Sequence, residues 1–138
     1  MRILLVEDEE SIRDIVKLNL EMEDYEVVTT GDGKRAIKHF QEEHFDLILL
    51  DVMLPEINGF QICEQIRLTN MEVPIIFLTA KDGSMDRVAG LKKGADDYIT
   101  KPIKPKVLVS KVKALLRRLK NSDDSDSILK IGSLIINR

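Results

Sequence analysis

The chain has 138 residues, a formal net charge of −3, 43% hydrophobic residues and 33% charged residues. A chain of this size buries about two-thirds of its surface, which supports one core but not two full-sized domains. Its apolar runs are far shorter than the roughly 20 residues of a membrane-spanning helix, and its acidic start predicts no signal peptide. Because Cys63 is the one cysteine, no internal disulfide can form. We therefore expect a cytoplasmic protein without membrane contacts.

Short apolar segments alternate with longer segments of helical period. The predicted strands are Ile3–Val6, Val27–Val28, Leu47–Leu50, Ile75–Leu78 and Tyr98–Ile99. Apolar residues at helical spacing follow each of them: Ile12, Ile15, Val16 and Leu20; Ala36, Ile37 and Phe40; Phe60, Cys63 and Ile66; Val88 and Leu91; and Leu108, Val112, Leu115 and Leu119. Asn58 and Ser84 are the candidate caps of the third and fourth helices. Five such β-then-α units predict an α/β fold, a doubly wound five-stranded parallel sheet covered by five helices.

The last residues have a different character. Asn121–Ser127 is polar and acidic, which is typical of a flexible linker. Ile128–Arg138 alternates and predicts two short strands around a Gly-Ser turn. A lone hairpin is marginally stable at best in water, so we expect this segment to begin a second, truncated domain.

Polar residues follow four of the predicted strands. Glu7 and Asp8 follow the first strand, Asp51 the third, Thr79 the fourth and Lys101 the fifth. An acid after one strand is most often a turn or cap residue. Ligands of doubly wound sheets, however, bind beyond the carboxyl ends of the strands. The joint occurrence at four strand ends therefore predicts a binding site.

The residue types at these strand ends favour phosphoryl chemistry. Clustered carboxylates repel one another, and Mg²⁺ is the dication that such oxygen ligands commonly hold. Lys101 adds a positive charge and Thr79 a hydroxyl donor, which suits phosphoryl transfer because positioning and charge neutralisation dominate its catalysis. Asp51, at the end of a buried run, is the candidate nucleophile. The expected product is an aspartyl phosphate.

Four motifs resemble the receiver domain of two-component response regulators. They are VEDE at residues 6–9, LILLDVMLP at 47–55 followed by NG at 58–59, LTAK at 78–81 and GADDYITKP at 94–102. The resemblance covers residues 1–120 and implies a flavodoxin-like sheet of strand order 2-1-3-4-5. It also implies a cis peptide bond between Lys101 and Pro102.

The resemblance assigns a role to each residue of the predicted site. Asp51 becomes the phospho-acceptor, and Mg²⁺ is held by Asp8, by Asp51, by the backbone carbonyl of Met53 and, through bound water, by Glu7. Thr79 and Lys101 contact the phosphoryl oxygens. Thr79 and Tyr98 form the switch, in which the tyrosine rotates inward on phosphorylation.

The later motifs and the basic final helix resemble the OmpR/PhoB-type transcription factors. These usually dimerise through the fourth helix, fifth strand and fifth helix, with Asp97 pairing Lys111 and Asp96 pairing Arg118 across the interface. Arg87 lies on the same face. The chain departs from this pattern where Val107 replaces an acidic partner of Arg87, where Ile103 replaces a phenylalanine, and where Lys111 stands for an arginine. Residues 128–138 would be the start of a winged-helix effector domain after the linker at 121–127.

The function implied is a phosphorylation switch with no enzymatic activity beyond its own phosphorylation and dephosphorylation. A sensor histidine kinase would supply the phosphoryl group, and homodimerisation would control DNA binding through the C-terminal domain missing from this chain. A standalone receiver that docks to another protein is the alternative. A Mg²⁺-dependent phosphohydrolase is disfavoured because Met53 occupies the position of the second acid that such enzymes use.

Overall fold

The computed structural model describes residues 1–79 and 94–132, with side chains described as far as residue 118. Five strands and four helices follow one another in the described chain. They are β1 (Arg2–Val6), α1 (Glu10–Glu21), β2 (Glu26–Thr30), α2 (Gly33–Glu42), β3 (Leu47–Asp51), α3 (Gly59–Thr69), β4 (Ile75–Thr79), β5 (Asp97–Thr100) and α4 (Pro105–Gly132). The predicted helix between Ser84 and Gly94 lies almost wholly outside the described residues.

The strands form one parallel sheet in the order β2-β1-β3-β4-β5, as predicted. The three central strands read as continuous apolar runs because helices cover both of their faces. On one face, Leu5 and Leu49 pack against α1 and α4. On the other face, Leu50 and Phe77 pack against α2 and α3. The predicted fold class is therefore confirmed.

Local sequence signals explain how the described helices begin and pack. Asn58 caps α3 in a reciprocal capping box with Gln61, whose side chain accepts from the Asn58 backbone N–H. Cys63 is fully buried on the inner face of α3, as expected for a packing role. The prediction for Ile15 was wrong, because its side chain is 47% exposed. The buried stripe of α1 follows Val16 and Leu20 at four-residue spacing, and Ile15 lies beside this stripe.

The C-terminal helix differs most from the sequence-based expectation. Residues 121–127, predicted as a linker, and residues 128–132, predicted as strand, continue α4, which has 28 residues. No glycine or proline interrupts the chain between Pro105 and Gly132. A helix forms its hydrogen bonds within its own segment, whereas a strand needs a partner strand to pair with. Among the described helices, none is both long enough and apolar enough to cross a membrane.

Glu56, in the loop between β3 and α3, has a φ angle of 66°. This left-handed conformation costs a residue with a Cβ roughly 1–2 kcal/mol, and glycine avoids that cost. Glycine also makes the unfolded chain more flexible, which offsets part of the gain in stability. We expect Glu56→Gly to raise the free energy of unfolding by about 0.5–1 kcal/mol, as measured by urea denaturation.

Glu56→Gln is the matched control for this variant. It keeps the backbone strain and removes the charge that faces Lys34 at 3.5 Å, a pair whose side chains are both about three-quarters exposed. Such pairs contribute little, so the control should match the parent chain. A loss of stability in Glu56→Gly would contradict the proposed strain.

Candidate functional site

The carboxyl ends of β1, β3, β4 and β5 bring together the side chains that the sequence singled out. Glu7 follows β1, Asp51 and Thr79 end β3 and β4, and Lys101 follows β5. One oxygen each of Glu7, Asp8 and Asp51 lies within 4.8 Å of the others. Residues separated by up to 94 positions in sequence therefore share one small pocket, because parallel strands all end at the same edge of the sheet.

Two of the three carboxylates are buried. Glu7 is fully buried, Asp51 is 1% exposed, and Asp8 is exposed. Lys101 Nζ lies 3.0 Å from Glu7 Oε1 and 3.3 Å from Asp51 Oδ1. The approach to Glu7 is an ion pair outside hydrogen-bond geometry, so Glu7 Oε1 has a cation beside it but no hydrogen-bond donor among the described residues. One ammonium thus faces two buried carboxylates, and Asp8 adds a third acid at the mouth.

This imbalance of charge shifts the acid–base properties of the pocket. Burial, and then repulsion from Glu7, raise the pKa of Asp51 to about 7, although Lys101 opposes the shift. Burial by itself would lower the pKa of Lys101, but Glu7 and Asp51 raise it above its ordinary value. The lysine therefore stays charged, while the proton affinity of Asp51 is high for a carboxylate. A second cation at this place would relieve the repulsion.

Backbone contacts hold Asp51 in position. Its Oδ1 accepts a hydrogen bond of 3.0 Å from the backbone N–H of Met53. The Gly59 N–H donates to the Val52 carbonyl at 3.1 Å, and a Cβ at residue 59 would lie 2.4 Å from the Asp51 carbonyl oxygen. Glycine is required at this close approach, which explains the NG motif structurally. The Met53 side chain is 70% exposed, so Met53 acts here through its backbone.

Thr79 has a buried hydroxyl for which residues 1–79 and 94–118 supply no hydrogen-bond partner. The residue is 2% exposed, and its Oγ1 makes no hydrogen bond within the described part of the chain. A buried hydroxyl without a hydrogen bond is costly. Its position at the end of β4, beside Asp51 at the end of β3, suits a ligand that offers an acceptor oxygen. Directly after the neighbouring strand β5, the Lys101–Pro102 peptide bond is cis, as predicted.

Tyr98 lies at the outer strand of the sheet, half-buried against the core. Lys111 Nζ is 5.4 Å from its ring centroid and 3.0 Å from Asp97 Oδ1. Tyr98 and Lys111 border a cavity of about 280 Å³ between β5 and α4, which Lys101 and Val107 also line. The switch tyrosine and the phosphate-binding lysine predicted from the sequence therefore border the same cavity.

The expected dimer residues make contacts within one chain. Asp97 pairs with Lys111 of its own chain. Asp96 Oδ2 accepts from Arg67 at 3.2 Å and from the Ile75 backbone N–H at 2.9 Å. Arg118 is exposed, and Arg87 lies outside the described residues. Asp96 and Asp97 thus both have charged partners within their own chain.

Sequence reasoning missed Arg67, whose side chain is only 11% exposed. Its guanidinium donates to the carbonyls of Gly94, Asn70 and Val73 and so joins the end of α3 to the segments before β4 and β5. Arg67 follows buried Cys63 by four positions, and so falls on the inner stripe of α3. A charged residue at such a position was the signal that could have revealed it.

Fold and site together define the class of protein. Residues 3–113 match the family described as the response regulator receiver domain. The chain belongs to this family, and the resemblance found in the sequence is confirmed.

Particular relatives refine this assignment. The chain is 45% identical to the alkaline phosphatase synthesis transcriptional regulatory protein PhoP of Bacillus subtilis, over 98% of this chain and 60% of that protein. It is 44% identical to the transcriptional regulatory protein AfsQ1 of Streptomyces coelicolor, over 99% of this chain and 59% of that protein. These relatives are consistent with the OmpR/PhoB-type subfamily, and the chain spans about 60% of their length.

The fold has close counterparts among solved structures. The CheY-like response regulator receiver domain protein of Methanospirillum hungatei superposes with a TM-score of 0.83 at 32% identity. The match covers 88% of this chain and 97% of that one.

The raised pKa of Asp51 predicts a pH-dependent stability. Its value of about 7 in the folded chain lies above the ordinary 3.8, so the folded state binds more protons than the unfolded state between these values. Stability in metal-free buffer should therefore fall as the pH rises from about 4 to about 7. We expect Asp51→Asn to be more stable than the parent chain by about 2 kcal/mol at pH 8 and by much less at pH 4.5, in urea denaturation with a chelator.

Asp14→Asn is the control for this measurement, because Asp14 is an exposed acid on α1. Its stability should follow that of the parent chain at both pH values. An Asp51→Asn difference that is independent of pH would contradict a raised pKa.

Proposed function

We propose that this chain is the phospho-accepting switch of a two-component system. Asp51 receives a phosphoryl group from a sensor histidine kinase in the presence of Mg²⁺. Phosphorylation then changes dimerisation, and with it the DNA binding of an attached transcriptional effector domain. The observation that carries this proposal is the convergence of Asp51 with Glu7, Asp8, Thr79 and Lys101 at one edge of the sheet.

The residues present fit a magnesium ion. Three carboxylates offer ligand oxygens within 4.8 Å of one another, and Mg²⁺ prefers carboxylates together with water. Glu7 and Asp51 are buried beside a single lysine, so a dication would offset their repulsion. Asp8 and Asp51 would bind it through side chains, Met53 through its carbonyl and Glu7 through water. When bound, it would neutralise charge on the phosphoryl oxygens.

The chain's own residues suit an in-line transfer. An oxygen of Asp51 forms the new bond to phosphorus as the bond from phosphorus to the donor histidine nitrogen breaks, and that nitrogen keeps the electron pair. Lys101 Nζ, 3.3 Å from Asp51 Oδ1, lies where it can bind a phosphoryl oxygen. The hydroxyl of Thr79, which makes no hydrogen bond within the described part of the chain, supplies a second donor. The chain would catalyse only this transfer and the later hydrolysis of the aspartyl phosphate, in which water takes the phosphoryl group as inorganic phosphate and the Asp51 carboxylate is released.

Transmission of the signal would run from Thr79 to Tyr98. A hydrogen bond from Thr79 to the new phosphoryl group would draw the threonine inward and favour an inward Tyr98. The Tyr98 ring contacts Lys111, which also pairs with Asp97. A change at Tyr98 would therefore free Asp97 and Lys111 to form ion pairs with a second subunit. Asp96, Arg118 and Arg87 would contribute to the same interface.

The remaining assignments extend the same proposal. Residues 1–120 would form the receiver and residues 121–127 the connection to an effector domain that begins at 128–138. DNA would be bound through that domain alone, as the transcriptional names of the relatives suggest. A cytoplasmic location follows from the proposed partnership with a histidine kinase.

Labelling with acetyl phosphate tests the acceptor. We expect one phosphoryl group per chain in the presence of Mg²⁺ and none in Asp51→Asn, because the amide is not a nucleophile. Intact-mass spectrometry measures the added phosphate. Asp46→Asn, which replaces another carboxylate near the opposite edge of the sheet, is the control and should be labelled like the parent chain. Full labelling of Asp51→Asn would refute the acceptor assignment.

Sedimentation velocity tests the coupling to dimerisation. We expect a beryllofluoride-treated chain to shift toward a dimer, and Asp97→Ala to reduce that shift because an intersubunit partner of Lys111 is lost. Lys113→Ala is the control, since Lys113 lies on the same helix but pairs with Glu23 in the turn after α1. Identical sedimentation with and without beryllofluoride would contradict the proposed dimerisation.

A further inference from the structure

Arg13 of α1 reaches back to the loop that carries the acidic pair. Its Nη1 donates a hydrogen bond of 2.9 Å to the backbone carbonyl of Glu7. That carbonyl belongs to the peptide unit that joins Glu7 to Asp8. Within the described residues Arg13 forms no ion pair with a carboxylate, so its main polar contact is with this peptide.

The peptide units on either side of this one are held by other contacts. The Glu7 backbone N–H, which belongs to the preceding peptide, donates to the Thr30 carbonyl of β2 at 3.0 Å. The Glu9 N–H, which belongs to the following peptide, donates to Glu7 Oε2 at 3.1 Å. Arg13 adds the hydrogen bond to the carbonyl of the Glu7–Asp8 peptide, which lies between these two.

Gly31 provides the space through which Arg13 reaches that carbonyl. A Cβ at residue 31 would lie 2.8 Å from Arg13 Nη1, 3.4 Å from Asp8 Cα and 3.5 Å from the Glu7 carbonyl oxygen. The last two distances are ordinary contacts, whereas the first is too short. The φ angle of Gly31 is not in the left-handed region, so alanine is tolerated by the backbone. The methyl group of an alanine at position 31 would clash mainly with the Arg13 guanidinium.

We propose that Arg13 is a positioning residue for the magnesium site and that Gly31 is small because it accommodates the guanidinium. Arg13 orients the Glu7–Asp8 peptide and thereby keeps the Asp8 carboxylate within reach of Asp51. The inference rests on the proposed magnesium-dependent function. Residues that orient metal ligands from outside the ligand set typically change metal affinity about 10–100-fold when removed.

The test measures Mg²⁺ affinity by titration calorimetry and the acetyl phosphate labelling rate as a function of Mg²⁺ concentration. We expect Arg13→Ala to weaken Mg²⁺ binding about tenfold. The labelling rate at saturating Mg²⁺ should stay within about twofold of the parent chain, since Arg13 does not touch the phosphoryl group. A general structural defect would lower the rate at every Mg²⁺ concentration.

Gly31→Ala provides the second variant, because it keeps Arg13 but displaces its guanidinium. It should reproduce the loss of Mg²⁺ affinity. In the Arg13→Ala background the added methyl has no guanidinium to displace, so the double variant should bind Mg²⁺ like Arg13→Ala alone. Arg35→Ala removes the same charge from the exposed surface of α2 and should bind Mg²⁺ like the parent chain.

The outcomes separate this inference from the proposed function. Suppose that the parent chain binds Mg²⁺ and is labelled on Asp51, but that Arg13→Ala or Gly31→Ala leaves the Mg²⁺ affinity unchanged. This result overturns the positioning role of Arg13 and leaves the proposed function intact. A rate that stays low at saturating Mg²⁺ overturns the positioning role as well. A parent chain that binds no Mg²⁺ refutes the proposed function and this inference together.

Discussion

Two carboxylates buried beside the ammonium group of Lys101 are the constraint on which the site depends. Glu7 and Asp51 both approach Lys101, and their proximity and burial raise the pKa of Asp51 to about 7. The free energy stored in this repulsion can be released by a further cation at the pocket. The same arrangement that destabilises the folded chain therefore favours the binding of a further cation at this edge of the sheet.

The fold keeps these charges together because its backbone is held rigidly around them. Parallel pairing of β1 with β3 and of β3 with β4 brings their carboxyl ends to one edge. Close contacts then leave little freedom for the loops: Gly59 packs against the Asp51 backbone, and Arg13 binds the Glu7 carbonyl. The repulsion cannot be relieved by moving the acids apart, since the core beneath them is closely packed.

Much of this architecture could be predicted from the sequence, and the exceptions share a cause. Continuous apolar runs revealed the central strands, and polar residues after them revealed Asp51, Thr79 and Lys101. The exposure of Ile15 and the role of Arg67 depended on which neighbours pack against α1 and α3. The contacts of Asp96 with Arg67 and with the start of β4 likewise join residues far apart in the sequence. The extent of α4 was missed because composition alone favoured a linker.

The sequence by itself determined the strands, the order of the motifs and the chemical types at the site, because these depend on local pattern and residue identity. Only the tertiary structure decided the distances between the acids and Lys101, the high proton affinity of Asp51 and the burial of the Thr79 hydroxyl. It also decided that Gly31 and Arg13 meet beside the Glu7–Asp8 peptide. These properties arise from contacts between residues far apart in the chain, and one-dimensional periodicity carries no information about such contacts.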